Sequence, residues 1–494
     1  MRTKGDGRSV LGAICLVLFL VLGIGEAAGA TYYASPSGTN TTTCSSGDPC
    51  SLATGLKKLA AGDTLVLKNG TYYSGINVPI SGASGNRITI KAENDGQAIV
   101  DGEGVREPLR ISSQSYITVQ GIVFKNGVYD VVRIGGSASF NELKRLSIVN
   151  AGNGNYHLLL FTGTANNNLV EDCLLTQGSL SGNGRHGIIF FAGPHDNTAR
   201  RHYIKWYKHN GGGGDGSAAL TAYGSEDNNL FENNVVDLTE GQPPVAGGTL
   251  QPFGGTARYG DSNYTKWYGN VVIDNRNATW INAFGYDDRP QTGIEFVGNV
   301  IINTGGGFYQ GSSDNTTYKN NTLINIGTSG GLSGRINVYT NTTGYPSTAT
   351  IKNNSFVSGV TGIYVSGAGS SAVSRFNNLN GIGTSYSGNV TDKTGDRNLN
   401  PSYDTATYGN GAYLMIPTAL QGQGESGADI GAEVLYRYQD GVLTNEPLWP
   451  WPMEERIFEE TGISVTWESN GGLWKTLNGV YRRNGYLYGE VGLM

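Results

Sequence analysis

Histidine, cysteine and proline are scarce in this chain of 494 residues, with 5, 4 and 15 copies, and charged residues make up only 15%. So little charge excludes a coiled coil, and the valine, isoleucine, leucine and aromatic content excludes a disordered chain. The sequence has no CxxC pair and no histidine spacing typical of a metal site. A net charge of −6 at pH 7 also leaves no basic surplus for binding nucleic acid.

Long apolar runs are missing beyond the first thirty residues. Three basic residues precede an apolar run from Val10 to Ile24, and Ala28 to Ala30 provide small residues for cleavage. The run is about fifteen residues long, short of the ~20 that a membrane-spanning helix needs. This pattern predicts a secretory signal peptide over residues 1–30. We therefore expect an extracellular or periplasmic protein with no stable membrane insertion after cleavage.

The few cysteines that follow fall into two groups. Cys44 and Cys50 bracket a five-residue loop of Ser, Gly, Asp and Pro, which in an oxidising compartment predicts a local disulfide. Cys173 stands alone beside Leu174, and we expect it to be a buried apolar residue rather than a reactive thiol.

Glycine, in contrast, is abundant at 76 copies, and one short phrase recurs between about Gly121 and Asn378. The phrase reads apolar, polar, Asn or Gly, any residue, then an apolar run, as in LFENNVVD and YKNNTLIN. Its marker positions are Gly121, Arg145, Asp172, Arg201, Asn233, Gly269, Gly298, Asn320, Asn353 and Asn377, with steps of 22 to 36 residues. One strand and one polar turn per unit predict a solenoid whose coils stack into a continuous core. The fold class is therefore all-β, a single-stranded right-handed parallel β-helix of about ten or more coils, with an Asn at one corner hydrogen-bonding the Asn above and below.

Both ends of the solenoid carry different sequence. Leu52, Leu56 and Leu59 are spaced like one face of a short helix that would cap the open end of the core. The β-helix domain is expected over 31–435. Residues 436–494 lack the repeated phrase and hold four of the seven tryptophans, which indicates either a C-terminal cap or an interaction segment. A short helix is expected over Met453 to Glu460, and a strand over SVTWES.

The stretch from Thr31 to Gly127, with TYYASPSG, GDTLVLKNGTY, NRITIKAEN and YITVQGIVFKNG, resembles secreted right-handed β-helix proteins. It is most similar to the chondroitinase B and alginate lyase family of polysaccharide lyases. The closing GADIGA, from Gly427 to Ala432, resembles the end of many extracellular β-helix proteins. The resemblance implies an acidic polysaccharide as partner, a calcium ion that neutralises the substrate uronate, and a lysine with an arginine serving the elimination.

Residues able to do chemistry concentrate in one window. All five histidines fall between His157 and His209, among several arginines and lysines. His157 and His186 each precede an apolar strand and should stack on adjacent coils, because equal positions in a solenoid superpose. The expected catalytic residues are His186, Lys205, Arg200, Arg201 and His202. The expected substrate-binding residues are His157, Arg185, His195, Lys208, Trp206 and Asp215.

Acidic residues of neighbouring turns suggest a cation site. Glu171, Asp172 and Glu232 lie on consecutive coils, and their hard oxygen ligands suit Ca²⁺. Each is equally explained as a turn residue that bonds locally. Calcium is the only cofactor that the sequence suggests.

These features favour a secreted lyase that cleaves a uronate-containing polysaccharide by β-elimination. An arginine or a bound cation would neutralise the carboxylate, and a lysine or histidine would remove the C5 proton. A glycoside hydrolase with paired carboxylates is an alternative enzyme on the same scaffold. A surface or matrix protein that only binds glycan is the alternative of a different class, because the fold hosts all three.

Overall fold

The computed structural model of the protein describes residues 29–40, 43–152, 156–177, 186–206, 217–224, 227–238, 250–256, 263–274, 280–284, 290–328, 334–340, 345–404, 409–448, 453–461, 475–477, 480–483 and 486–488. The expected signal peptide, except for its last two residues, and the SVTWES strand lie outside these residues. Within the described residues, no helix is long and apolar enough to cross a membrane.

Short parallel strands wind into a β-helix, and we number them β1 to β43 along the chain. The first of three faces, face A, is a parallel sheet. It consists of β1 (Thr31–Thr39), β2 (Thr64–Leu67), β5 (Ile88–Ala92), β8 (Ile117–Gln120), β11 (Glu142–Lys144), β14 (Leu169–Glu171), β17 (Thr198–Arg200), β20 (Leu230–Glu232), β23 (Lys266–Tyr268), β27 (Glu295–Val297), β31 (Thr316–Lys319), β34 (Thr348–Lys352), β36 (Ser371–Arg375) and β38 (Val390–Thr391).

Face B follows face A after the corner that carries the repeated marker. It consists of β3 (Gly70–Tyr72), β6 (Ala98–Asp101), β9 (Ile122–Lys125), β12 (Ser147–Val149), β15 (Leu174–Gln177), β18 (Tyr203–Trp206), β21 (Val235–Asp237), β24 (Val271–Ile273), β28 (Val300–Ile302), β32 (Thr322–Ile324) and the first parts of β35 (Ser355–Ser366) and β37 (Asn378–Ser387). All its ladders are parallel.

Face C completes each coil. It consists of β4 (Ile76–Asn77), β7 (Leu109–Ser112), β10 (Val132–Gly135), β13 (His157–Thr162), β16 (His186–Phe191), β19 (Ser217–Tyr223), β22 (Leu250–Thr256), β25 (Ile281–Phe284), β29 (Phe308–Gly311), β33 (Gly334–Tyr339) and the last parts of β35 and β37. Since β35 and β37 run through both faces, B and C join into one sheet.

The remaining elements are short. Two-residue strands β26 (Gln291–Thr292) and β30 (Ser313–Asp314) pair with each other, β39 (Tyr436–Gln439) forms an antiparallel hairpin with β40 (Val442–Pro447), and β41 (Lys475–Leu477), β42 (Val480–Arg483) and β43 (Tyr486–Tyr488) form an antiparallel sheet. Three 3-10 helices span Gly409–Leu414, Thr418–Leu420 and Glu425–Gly427, and the α-helices are α1 (Leu52–Lys58) and α2 (Glu454–Thr461).

The corner between faces A and B explains the repeated phrase. Asn233, Asn320 and Asn353 all adopt left-handed backbone conformations, with φ of 54°, 53° and 54°, and each precedes a strand of face B by two residues. Asn and Gly recur there because they tolerate this conformation best. The expected equivalence of these corners is confirmed. At the last coil the left-handed residue is Phe376 rather than the marker Asn377.

The hydrogen-bonded asparagine ladder runs one residue after the marker. Its members are fully buried and bond in sequence from coil to coil: Asn234, Asn270, Asn299, Asn321, Asn354 and Asn377. Each side-chain oxygen accepts an N–H from the coil before, and each amide donates to the next oxygen and to a backbone carbonyl. The ladder therefore satisfies polar groups that the corner would otherwise bury unpaired. A second ladder joins Asn141, Asn168, Asn197 and Asn229 at another corner.

Inward side chains of successive coils stack into one core. Phe190, Phe231, Trp267 and Phe296 are all fully buried, with neighbouring ring centroids 5.0, 5.6 and 4.8 Å apart. At the N-terminal end, α1 buries Leu52 and Leu56 in this core, which confirms the expected capping helix. Cys44 and Cys50 form the expected disulfide, with Cα atoms 4.7 Å apart, and Cys173 is fully buried as expected.

The C-terminal segment, residues 409–448 and 453–461, runs back along the outside of face B. Its apolar residues pack on outward side chains of that face: Leu414, Ala432, Val434, Leu448, Met453 and Ile457 against Leu174, Tyr203, Val271, Val300 and Ile324. Helix α2 extends to the early coils, where Ser147 donates to Glu460 at 2.7 Å. The hairpin of β39 and β40 crosses to face A, where Gly269 and Gly298 have positive φ and a Cβ on either would collide with the side chain of Tyr438. This segment thus covers the flank of the solenoid.

Candidate functional site

Face C carries a row of basic side chains on its outer side. Asn77, Arg110 and Arg133 are in register on β4, β7 and β10, while their strand neighbours Leu109 and Val132 are buried in the core. Arginines at these positions must point outward because side chains alternate along a strand. They border a cavity of about 400 Å³ lined by Gly75, Asn77, Val105, Arg106, Glu107, Arg110, Val128, Tyr129 and Arg133.

A single glutamate holds two of the arginines in place. Glu107 lies 3.5 Å from the Nη1 of Arg110 and 3.3 Å from the Nη1 of Arg133, and its side chain is only 10% exposed. Arg106 pairs with Glu103 at 2.7 Å. The side chains of Arg110 and Arg133, which share Glu107, remain 49% and 35% exposed, so they can still bind an anion from solvent.

An aromatic pair borders the arginines. The rings of Tyr129 and Tyr156 lie 4.8 Å apart between centroids, and Tyr129 is 48% exposed. A partly exposed tyrosine beside cationic groups offers both an apolar surface and a hydroxyl donor to a sugar.

The next two coils place the expected histidine pair on the same face. His157 and His186 are directly in register on β13 and β16, and their ring centroids are 5.1 Å apart. The expected stacking is thus confirmed. Nδ1 of His186 accepts the N–H of Ala218 at 3.1 Å, so the proton of the neutral ring resides on Nε2. His186 is almost buried, whereas His157 is half-exposed and the more accessible of the two.

Asp130 links the arginines to the histidines. It is only 2% exposed, its Oδ1 accepts the N–H of His157 at 2.9 Å, and its Oδ2 lies 3.9 Å from the Nη1 of Arg133. Burial raises the pKa of Asp130 to about 6, although the His157 N–H and the Arg133 charge act in the opposite direction. We call Arg106, Arg110, Arg133, Tyr129 and His157, with Asp130 beneath them, the arginine–histidine site.

Two of the expected catalytic residues lie on face A instead. Nε of Arg200 is 3.0 Å from Glu171, and its Nη1 is 3.4 Å from Glu232 and 3.1 Å from Asp440 in the C-terminal hairpin. Arg201 pairs with Asp172 at 2.6 Å and with Glu171 at 2.8 Å. Both arginines are buried by these partners. Their expected role in neutralising a substrate carboxylate stays a prediction, and the site described above does not use them.

The same ion pairs occupy the carboxylates expected to bind calcium. Glu171 and Asp172 bind the two arginines, and Glu232 also accepts the N–H groups of Asp440 and Gly441 at 3.1 and 3.0 Å. Burial alone would raise the pKa of Glu171, but the charges of Arg201 and Arg200 outweigh it and lower that pKa. No cluster of metal-ligating side chains occurs in the described part of the chain. Since their oxygens already bind internal cations and N–H groups, these three residues do not fit a calcium site.

His202 and Lys205 do not reach the arginine–histidine site either. His202 is fully buried at the head of the asparagine ladder, where it accepts the Cys173 N–H at 3.1 Å and donates its own N–H to Asn234. Burial lowers its pKa to about 3, so it is neutral and out of contact with solvent. Lys205 lies on face B, 5% exposed, in register with Thr176 and Asp237. The expected catalytic role of both residues stays a prediction, and the arginine–histidine site does not include them.

The remaining expected residues are scattered. His195 is in the turn before β17, with its Nδ1 2.7 Å from Asp196. Arg185, Lys208, Asp215 and the side chain of Trp206 lie outside the described residues. The sequence analysis missed Arg110 and Arg133. These arginines occupy the same position in two similar strands, LRIS and VRIG, which lie one coil apart. The repeat would have revealed them if it had been followed upstream of Gly121.

Comparison with known proteins supports the resemblance of the N-terminal part. Residues 49–142 match the model of the chondroitinase B family, which confirms the resemblance for that segment. No curated protein matched the chain by sequence.

The chain is similar to several solved structures that are named as polysaccharide lyases. Pectate lyase Pel9A is 16% identical with a TM-score of 0.45, and the match covers 90% of this chain and 94% of that one. A PL6 family polysaccharide lyase, Pedsa3628 from Pseudopedobacter saltans, is 16% identical with a TM-score of 0.43 over 62% and 82% of the chains. A mannuronic acid specific family 6 lyase from human gut microbiota is 15% identical with a TM-score of 0.45 over 70% and 86%.

Proposed function

We propose that the protein is a lyase that cleaves an acidic, uronate-containing polysaccharide by β-elimination at the arginine–histidine site. The observation that carries the proposal is the exposed pair Arg110 and Arg133, connected through Asp130 to the backbone N–H of His157, on one face of a β-helix whose early coils match the chondroitinase B family. Fold alone would not distinguish a lyase from a hydrolase. The cationic pocket favours elimination, because that reaction needs the uronate carboxylate neutralised.

Each residue of the site has a role in the proposed elimination. Arg133 and Arg110 bind the carboxylate, which makes the neighbouring C5 proton acidic enough to remove. His157 takes that proton, the C4–O bond breaks as the C4–C5 double bond forms, and the hydroxyl of Tyr129 gives a proton to the departing oxygen. Asp130 accepts the backbone N–H of His157 and thereby positions it.

A substrate panel tests the reaction type. The mature protein is incubated with alginate, pectate, chondroitin and the producer's own exopolysaccharide, and the absorbance of unsaturated uronate is followed together with reducing ends. We expect both signals to rise. Reducing ends without absorbance would mean a hydrolase, and binding without either signal would mean a glycan-binding protein.

A matched pair of variants tests the site. Arg133→Ala should lower kcat/KM about 100-fold, because it removes a charge-assisted contact made to the developing anion. Arg375→Ala removes a similarly accessible arginine of face A, which pairs with Asp392, and should leave kcat/KM unchanged. Equal loss in both variants would refute the assignment.

Export is the remaining part of the proposal. Removal of residues 1–30 would leave Thr31, the first residue of β1, as the new N-terminus. Mass spectrometry of the protein recovered from the culture medium should find this end. Recovery of the intact chain from the cytoplasm would contradict export.

A further inference from the structure

A row of aromatic side chains continues along face C beyond the arginine–histidine site. Trp280, Tyr309, Tyr339 and Tyr364 come from successive coils, and their ring centroids are 5.5, 5.2 and 5.8 Å apart. We propose that this aromatic row binds the same acidic polysaccharide chain by stacking against its sugar rings, several sugars away from the bond that is cleaved.

The register of the strands directs these rings outward. Phe308, Ile336 and Ile363 are in register and fully buried in the core, so the next residues in β29 and β35, Tyr309 and Tyr364, face the opposite side. All members of the row are half-exposed. Part of each ring is therefore in contact with solvent, and neighbouring rings hold the side chains in place.

The spacing suits a polymer of sugar rings. Parallel strands repeat every ~4.8 Å along the axis, and an extended chain of 1,4-linked pyranoses advances by a closely similar distance per sugar. A chain lying along face C would therefore meet one aromatic ring per coil. A globular protein or a flat lipid surface offers no such linear repeat.

The aromatic row is uncharged, unlike the arginine–histidine site. None of its four side chains carries a charge, and burial raises the pKa of Tyr339 to about 12, so its hydroxyl remains a neutral donor. Stacking on these rings should persist at high ionic strength, whereas contacts with exposed arginines are screened by salt.

The arginine–histidine site and the aromatic row are so far apart that only a long ligand can contact both. Five strand-to-strand steps lead from β13, which carries His157, to β29, which carries Tyr309. This is roughly 24 Å at ~4.8 Å per step. Only a long oligosaccharide can occupy the arginine–histidine site and the aromatic row together.

Binding of sized uronate oligosaccharides tests the inference, which rests on the proposed function for the identity of the polymer. Affinity is measured by calorimetry at high ionic strength for fragments of about three and about ten sugars, the latter able to span the ~24 Å between the two regions. Tyr339→Leu should weaken binding of the long fragment about three- to tenfold and leave the short fragment unaffected. Tyr339→Phe keeps the ring and should bind as the wild type does.

Tyr436→Leu is the matched control, since Tyr436 is an exposed tyrosine of the C-terminal hairpin and not of face C. Unchanged long-fragment affinity in Tyr339→Leu would overturn the aromatic row while the proposed function stands. Equal loss for both fragments would also overturn it, because that result indicates a structural role. If the wild type neither binds nor cleaves any acidic polysaccharide, the proposed function itself fails.

Discussion

Asp130 shows what burial of one carboxyl group does to the arginine–histidine site. Its pKa of about 6 is higher than the ordinary ~3.9 of an aspartate. Between these pH values the folded state binds more protons than the unfolded state, so stability is lost as pH rises from ~4 to ~6 and is constant above. At neutral pH the folded protein thus retains an unfavourable buried charge.

Asp130→Asn should remove this dependence. The amide oxygen can still accept the His157 N–H, but no charge develops as pH rises. We expect the variant to gain stability relative to wild type between pH 4 and pH 7, by about 1.4 kcal/mol per unit of pKa shift. Urea unfolding at a series of pH values measures this, and parallel stability curves for the two proteins would disprove the assigned burial cost.

The two stacked histidines should respond differently to substitution. His157→Ala should lower kcat by about 100-fold or more with little change in Tm, because it removes the accessible base. His186→Ala leaves the Ala218 N–H without its acceptor, which should cost about 1–3 kcal/mol. His195→Ala, in the exposed turn, serves as the control. Loss of turnover in His186→Ala at unchanged Tm would make His186 the base instead.

Sequence reasoning identified the histidine pair but misplaced the residues after it. Equal distance from the marker was enough to stack His157 on His186, because the period fixes which residues superpose. The distance from the marker did not determine which way the side chains point at the corner. Arg200 points outward on face A, whereas His202, only two residues later, points into the core. Side-chain direction at a left-handed turn depends on backbone geometry that residue types alone do not reveal.

At the scale of elements, the asparagine ladder is the strongest local constraint on coil stacking. Asn299 is fully buried, bonds Asn270 and Asn321 on the adjacent coils, and donates to the carbonyl of Trp267. Removing it leaves buried partners unpaired on both sides.

Asn299→Ala should therefore lower the free energy of unfolding by at least about 3 kcal/mol, since each unpaired buried group costs about 1–3 kcal/mol. Asn380→Ala removes a bond to Asn398 at the exposed edge of β37 and should cost less than about 1 kcal/mol. Thermal unfolding compares the two variants, and equal costs would show that the ladder adds nothing beyond a surface bond.

The strands could be predicted and the path of the C-terminal segment could not. Apolar runs after each marker predicted parallel strands, and the structure confirms them at Val235, Thr322 and Ser355. The contact of Ser147 with Glu460 joins residues more than three hundred positions apart and does not recur from coil to coil. A single long-range contact of this kind cannot be predicted from a repeat pattern.

On the scale of the whole molecule, chelation experiments in solution can test whether the protein depends on calcium. Because Glu171, Asp172 and Glu232 already bind arginines and backbone N–H groups, EDTA should leave both Tm and the rate of cleavage unchanged. Add-back of calcium should likewise have no effect. A rate that falls with EDTA and returns with calcium would place a cation elsewhere on the chain.

The C-terminal segment also has a consequence for synthesis. Coils can stack as soon as each leaves the ribosome, but apolar residues on the outside of face B, such as Leu174 and Val271, wait for residues 409–461 to cover them. Until about the last sixth of the chain emerges, a nearly complete solenoid exposes an apolar flank. A nascent chain stalled before that point should bind chaperones or aggregate although most of its coils have formed.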